Sequence, residues 1–463
     1  MRPGRAIALC AAVLAFAVTA FAPQVLNDGD TFLHIAAGRR MLAEHAILFS
    51  DPFSYTFAGQ RWDAHEWLAE ITMASAYRAA GWAGLVALFA AAAGATAYVL
   101  ARALGQWLAP KAQTAIAGLA LACMTGSLLA RPHLLALPLL ALWTAELVRA
   151  RRERRAPSLA LLPVMTLWVN IHGSFLLGFA LAGGLALEAL AAERSVRALR
   201  PWIVFGLGAL GAALINPHFI GGVIFPLTLM ATPGLAHVGE WQATAFSPFQ
   251  PIVPVSAAAL YVLITRRVRV SWVRAAMLLA LLYMAIAHQR HQIVFAVAAP
   301  LLLAEPLAAA FGVGDRSRAN WSALGAGAIA LLAALFAVRL ALPLTRGDAA
   351  VAPMTALAHV PAGLRTAPVL NDYGFGGYLI FAGVRPYIDS RAELYGEAAI
   401  ERYAALIRPD PRALDEELVR HGIRWAILAP ASPIVAELDA RPGWHRLYAD
   451  RYAVVQFRDS AAR

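Results

Sequence analysis

Long apolar runs separated by short arginine-bearing gaps fill the first three quarters of the chain. Residues 6 to 26 follow Arg2 and Arg5. A helix needs about 20 apolar residues to cross a bilayer, so this run predicts a first span. Further runs at 82–104, 112–130, 134–148, 158–170, 174–192, 201–215, 251–265, 275–287, 292–310 and 321–343 predict about eleven spans in all. Two stretches break the pattern. Residues 27 to 80 are polar, and from His65 to Ala80 their apolar positions recur at helical spacing. That spacing predicts a short helix lying on the membrane surface, ended by Gly81. Residues 219 to 250 hold Pro226, Pro233 and Pro248 and read as irregular, outside the spans.

Beyond residue 343 the apolar runs stop and charge rises. Pro368 to Phe381 reads as a strand, a glycine-rich turn and an apolar segment. Residues 394–407, 411–421 and 433–440 read as helices, and 423–428, 445–448 and 452–457 as strands. The pattern therefore predicts a polytopic α-helical membrane protein with a small C-terminal α/β extracytoplasmic domain. Residues 1–343 form the membrane domain, with a functional outer loop at 27–80, and residues 344–463 form the second domain.

Composition agrees. The 463 residues are 60% hydrophobic and 14% charged, against roughly 25% charged in soluble domains. The formal charge of +11 is carried almost wholly by arginine, clustered between spans at 149–155, 194–200, 266–274 and 316–318. This is the positive-inside pattern, and no basic face interleaved with aromatics suggests nucleic acid. It sets the N-terminus in the cytoplasm and the C-terminal domain on the opposite, extracytoplasmic side. Ala20-Phe21-Ala22 resembles a signal-peptidase site, followed badly by Pro23; cleaved or not, Asp28 emerges outside. The two cysteines, Cys10 and Cys123, sit in apolar runs and form no framework.

With that topology, Asp28, Asp30, His34, His65, Glu66, Arg131, His133, Asn170, His172, Asn216, His218, Glu240, His288, Arg290 and His291 all fall at outer span ends or in outer loops. Charged groups beside a bilayer are expensive unless they act. A transporter gathers polar groups near the midplane; here they form one layer at one surface, as a crevice open to the outside requires.

Asp28-Gly29-Asp30 directly after the first span resembles the acidic motif of the glycosyltransferases of the C superfamily. Asp30-Thr31-Phe32-Leu33-His34 with Gly38, Asp51-Pro52-Phe53-Ser54 and His65-Glu66-Trp67-Leu68 resemble a bacterial branch of it. So do Trp168-Val169-Asn170-Ile171-His172-Gly173, Asn216-Pro217, Asn371-Asp372-Tyr373, Gly376-Gly377-Tyr378 and Asp389-Ser390-Arg391. Better-known relatives are the protein O-mannosyltransferases and the lipid A aminoarabinose transferases. The C-terminal domain does not match theirs, so their acceptors do not carry over.

The resemblance implies transfer of a hexosyl or pentosyl group, with inversion, from a polyprenyl-phosphate sugar to a glycan, lipid or protein acceptor of the cell envelope. Asp30 is the expected general base and Asp28 the second choice; either carboxylate could instead cap a helix. Arg131 and Arg290, with His133 and His291 beside them, are the expected donors to a lipid phosphate, unless they only snorkel at the interface. His34, His65, Glu66, His172 and Glu240 are candidate substrate contacts. A divalent cation, through Asp28, Asp30 and His65, is an open requirement. Trp62, Trp67 and Trp241 read equally as interface anchors or sugar platforms. The Gly374–Gly377 run lacks the residues of a phosphate loop and reads as a turn. The rival readings are a transporter or flippase of lipid-linked sugars and a polysaccharide polymerase or ligase.

Overall fold

The computed structural model describes residues 1–230, 243–244, 250–311, 320–408 and 411–459. The chain forms two compact units. The first gathers Met1–Val25, Ala83–Pro226 and the described part of Ala236–Pro343. The second gathers Leu26–Trp82 and the described part of Leu344–Arg463, with the short stretch from Leu227. The expected outer loop therefore clusters with the C-terminal region, and the second unit resumes where the sequence changes character.

In chain order the helices up to residue 343 are α1 (Pro3–Phe21), α2 (Asp30–Glu44), α3 (Trp67–Leu104), α4 (Pro110–Met124), α5 (Pro132–Arg152), α6 (Leu162–Ile171), α7 (Leu176–Glu193), α8 (Leu199–Ala213), α9 (Ile220–Met230), α10 (Ile252–Thr265), α11 (Trp272–Ala287), α12 (Gln292–Phe311) and α13 (Trp321–Ala341). Helices dominate because lipid offers backbone groups no partner, so each segment must satisfy its own. Seven helices among the described residues are long and apolar enough to cross a membrane. Every run expected to span is helical, although α4, α6, α10 and α11 have only 15, 10, 14 and 16 residues. Proline opens α1, α4 and α5 and stands second in α6, in the first turn where its missing N–H costs nothing.

Within the first unit, Trp143 on α5 ties three neighbours together. Its ring meets Phe205 on α8 at 5.2 Å and Trp168 on α6 at 6.5 Å, and its indole N–H donates to the Gly178 carbonyl of α7 at 2.9 Å. Arg274 on α11 is buried and pairs with Glu188 on α7 (2.9 Å) and Glu305 on α12 (3.0 Å). A charge at this depth is tolerated only when paired in this way.

Two expectations are corrected. The stretch from Asp30, expected as part of an outer loop, is the 15-residue helix α2. Residues 220–230, read as irregular, form α9 with Pro226 inside it; residues 231–242 and 245–249 lie outside the described set. The break at Gly81 stands where expected. Ala80 and Gly81 leave helical geometry inside α3, and Gly81 takes φ of 57°, a conformation glycine adopts at little cost.

In the second unit, the C-terminal part adds α14 (Met354–His359), α15 (Ala362–Arg365), β1 (Val369–Asn371), α16 (Gly376–Phe381), α17 (Ala392–Leu406), α18 (Pro411–Arg420), β2 (Trp425–Leu428), α19 (Pro433–Asp439), β3 (Trp444–Ala449) and β4 (Val454–Arg458). The strands form one sheet in the order β1-β2-β4-β3. The β1–β2 pair is parallel, with Leu370 opposite Ala426, and the other two pairs are antiparallel. Phe32 of α2 lies fully buried in the same core as Val369, Phe375, Leu379, Trp425, Ile427 and Val455. Its ring meets Tyr378 and Phe381 edge-on at 5.3 Å each. Burying one such side chain contributes about 1.5–3 kcal/mol, so α2 is part of the sheet's core and not a flap beside it.

Candidate active site

The acidic motif sits where the chain turns into α2. Asp30 is the first residue of the helix and Gly29 its N-cap. The Asp28 carboxylate accepts the Asp30 backbone N–H at 2.8 Å, satisfying a donor that the helix itself leaves open. Asp28 thus fixes the turn that leads into α2. Asp30 stands in the first turn of the helix. Gly29 is there for lack of room, since a Cβ on it would come 3.0 Å from the Gly374 carbonyl. From the other side, a Cβ on Gly377 would stand 2.4 Å from the Gly29 carbonyl oxygen. The glycine-rich turn of the C-terminal region is a backbone bed for the Asp-Gly-Asp motif.

One turn further along α2, His34 meets the start of α3. Its Nδ1 lies 3.1 Å from Glu70 Oε1 and its Nε2 3.7 Å from Glu66 Oε2; His65 Nε2 lies 3.7 Å from the other Glu66 oxygen. Glu66 and Glu70 share a helix face because they are four residues apart. Gly38, four residues after His34, brings the two helices together: a Cβ there would fall 2.0 Å from the Glu70 carbonyl oxygen. Burial pulls the His34 pKa down, but the hydrogen bond with Glu70 and the charges of Glu66, Glu70 and Asp28 outweigh it. The imidazole therefore keeps its proton above the ordinary 6.5. Glu70 is 2% exposed and was not singled out from the sequence; its four-residue spacing from Glu66 was the available signal.

The Asp51-Pro52-Phe53-Ser54 motif is tied to Asp389-Ser390-Arg391. The Arg391 guanidinium donates to Asp51 at 2.7 Å and to both oxygens of Asp389 at 2.8 and 2.6 Å. Asp51, Asp389 and Arg391 are 2%, 0% and 3% exposed. Tyr395 and Ser54 hydroxyls donate to the same carboxylates. Trp62, a candidate anchor or sugar platform, is buried over Arg391 with its N–H on Glu393 at 3.0 Å, so it packs this junction and offers no free face.

The remaining candidates belong to the first unit. Arg131 is the N-cap residue of α5. His133 contacts the Ser127 carbonyl at 3.1 Å, and its ring meets that of His172 at 6.3 Å. His172 Nδ1 accepts the Ser174 N–H at 3.1 Å, and Asn170 donates to the Thr166 and Ile215 carbonyls. Arg290 and His291 lie in the turn before α12, where the His288 and His291 rings meet at 5.5 Å. Glu240 and Trp241 lie outside the described residues. Among the described residues no group of three or more His, Cys, Asp or Glu is arranged to hold a metal ion, so Asp28, Asp30 and His65 are not gathered into one.

No family model matches the chain, and no curated protein matches it. Solved structures do. The oligosaccharyltransferase of Archaeoglobus fulgidus in its apo form superposes with a TM-score of 0.54 at 11% identity, covering 91% of this chain and 69% of that one. The ArnT protein of Cupriavidus metallidurans, bound to undecaprenyl phosphate, superposes with a TM-score of 0.52 at 13% identity, covering 98% and 97%. At these identities the likeness is one of fold. The chain thus shares the fold of these two solved structures.

Proposed function

We propose that this protein is a membrane glycosyltransferase of the bacterial inner membrane that moves a sugar from a polyprenyl-phosphate donor to an envelope acceptor on the outer face. The observation that carries the reading is the Asp28-Gly29-Asp30 turn. One carboxylate is used to fix the helix start, and the next is presented in the first turn, above a backbone bed with no space for side chains. A fold shared with an oligosaccharyltransferase and with a protein that holds undecaprenyl phosphate supports a lipid-linked donor. The arginine clusters support an outward-facing site.

In the proposed reaction the Asp30 carboxylate takes the proton of an acceptor hydroxyl. The new bond forms between that oxygen and the anomeric carbon. The carbon–oxygen bond to the phosphate breaks, and its electron pair leaves on the lipid phosphate, so a single displacement inverts the anomeric centre. Asp28, already engaged with the Asp30 N–H, serves to hold the motif. His34, set between Glu66 and Glu70, is proposed to donate to the substrate. Arg131, His133, His172, Glu240, Arg290 and His291 are proposed as further donor or acceptor contacts.

The test is sugar transfer by the purified full chain in detergent, with a panel of labelled polyprenyl-phosphate sugars and envelope extract as acceptor. Transfer or donor hydrolysis is expected in wild type and lost in Asp30→Asn, a change worth about 10²–10⁴ in rate for a general base. Added EDTA in the same assay reads the cation requirement. Unchanged turnover in Asp30→Asn moves the base elsewhere. No turnover with any donor, but passage of lipid-linked sugar across liposomes, replaces the transferase with a flippase.

A further inference from the structure

Arg346 follows α13 and opens the C-terminal stretch of the second unit. Its guanidinium carbon stands 4.5 Å from the Phe32 ring centroid and 5.1 Å from that of Trp82, whose rings meet edge-on at 5.4 Å. Nη1 is buried with no hydrogen-bond partner. Among the described residues Arg346 makes no hydrogen bond and no ion pair at all. Burial lowers its pKa to about 10, while the charge of Asp28 works the other way; at neutral pH the group is a cation.

Arg391 shows what a satisfied guanidinium in this unit looks like. It too lies against two rings, Phe53 at 5.4 Å and Trp62 at 4.7 Å, and its donors are spent on Asp51 and Asp389. Arg346 has the same aromatic seat and no carboxylate clamp. A guanidinium offers five N–H donors in a planar fork, and a buried charge left without partners is costly. The charge of Asp28 in the motif acts on it, and Asp28 Oδ1 also accepts the Asp30 N–H. A planar fork seated against two rings, under the influence of the Asp28 charge and short of acceptors, matches the geometry of a phosphoryl group.

We infer that Arg346 is a substrate-binding residue that receives a phosphoryl group next to Asp28-Gly29-Asp30. The inference rests on the transferase reading for the identity of the substrate, but not for the presence of an anion site. Phosphate held there keeps the leaving group within reach of the motif, and its charge replaces the partner that the guanidinium lacks. Nothing in the sequence marked Arg346, one arginine among many.

The experiment compares binding of undecaprenyl phosphate, undecaprenol and inorganic pyrophosphate to the detergent-purified full chain, in wild type and R346Q. Loss of a charge-assisted contact is expected to weaken undecaprenyl phosphate by about tenfold or more, with undecaprenol binding and the thermal midpoint unchanged. Pyrophosphate that binds wild type as tightly as the lipid identifies a soluble phosphate as the source; preference for the lipid identifies the donor. Equal binding of undecaprenyl phosphate by both proteins, or equal loss of the phosphate and the alcohol, overturns the inference. Should R346Q not fold, phenylglyoxal labelling of wild type decides. Arg346 is expected to be protected by pyrophosphate or undecaprenyl phosphate, and labelling indifferent to both overturns the assignment. Loss of phosphate binding in R346Q with no donor ever consumed by wild type leaves the anion site standing and removes the transferase. Transfer abolished in Asp30→Asn but normal in R346Q removes Arg346 alone.

Discussion

Gly377 meets the carbonyl oxygen of Gly29 so closely that a Cβ on it would stand 2.4 Å away. The two residues are hundreds of positions apart in sequence, yet one supports the peptide that links Asp28 to Asp30. No rotamer can relieve such a clash, because both partners are backbone. Gly377→Ala must therefore push α16 away from α2 or bend the motif. Overpacking of this kind costs about 1–3 kcal/mol. The thermal midpoint is expected to fall and transfer to fall further, since the distortion is centred on Asp30. Gly363→Ala, where no neighbour lies within 4 Å of the new Cβ, is the matched control and is expected to be neutral. Equal behaviour of the two variants would mean that the motif does not depend on its bed.

The His34–Glu70 contact carries a pH dependence with a definite sign. The folded-state pKa of His34 is raised above 6.5, so folding binds a proton. The contribution is complete below 6.5 and is lost as pH rises through the raised value. Replacing Glu70 with Gln removes the hydrogen bond and one of the charges that hold the imidazole pKa up against burial, leaving Glu66 and Asp28. The gap in thermal midpoint between wild type and Glu70→Gln is therefore expected to be widest near pH 6 and to narrow toward pH 9, on the order of three units of titration being enough to see it. A gap that stayed constant over that range would show that Glu70 acts through packing alone. Gly38→Ala, which forces the helices apart at the Glu70 carbonyl, is expected to abolish the pH dependence even though both titrating groups are still present.

Much of this architecture could be read from residues 6–26 or 321–343, because a bilayer leaves an apolar run only one way to satisfy its backbone. Gly81 announced a break for the same local reason. The C-terminal strands were legible as short apolar runs, as in Trp425 to Leu428, all four of them buried. Helix α2 was not. Its buried positions, Thr31, Phe32, Leu33, Ile35, Ala37, Gly38 and Met41, crowd together around polar motif residues that drew attention to chemistry instead. Its apolar face is matched by Leu379, Trp425 and Val455, and no local pattern reveals a partner that distant. In the candidate site, His34 and Glu66 carried a signal, being histidine and acid at helical spacings, and the structure sets them side by side. Glu70 and Arg346 carried little, because what distinguishes them is burial and the neighbours they have or lack.

The Asp51–Arg391–Asp389 cluster yields the largest expected effect on stability. Three charges are almost fully excluded from water, and one guanidinium compensates two carboxylates. Such a group adds little net stability over apolar packing, but removing one member strands the others. Arg391→Met leaves Asp51 and Asp389 buried and facing each other without a counter-charge, at a cost of about 3–5 kcal/mol. It also removes the stem that packs on Phe53 and Trp62. Arg391→Lys keeps the charge but cannot hold Asp51 while engaging both Asp389 oxygens, so an intermediate loss is expected. Adding Asp51→Asn to Arg391→Met takes away one stranded charge, and the double variant is expected to recover part of the loss, a non-additivity that marks direct coupling. Limited proteolysis of residues 48–64, with thermal unfolding in detergent, measures all three. Because Tyr55, Thr56 and Arg385 also bridge this loop to residues 369–387, cleavage should concentrate in the loop and leave α2 protected. Additive losses in the double variant, or uniform cleavage across the unit, would show that the cluster is not what holds the loop in place.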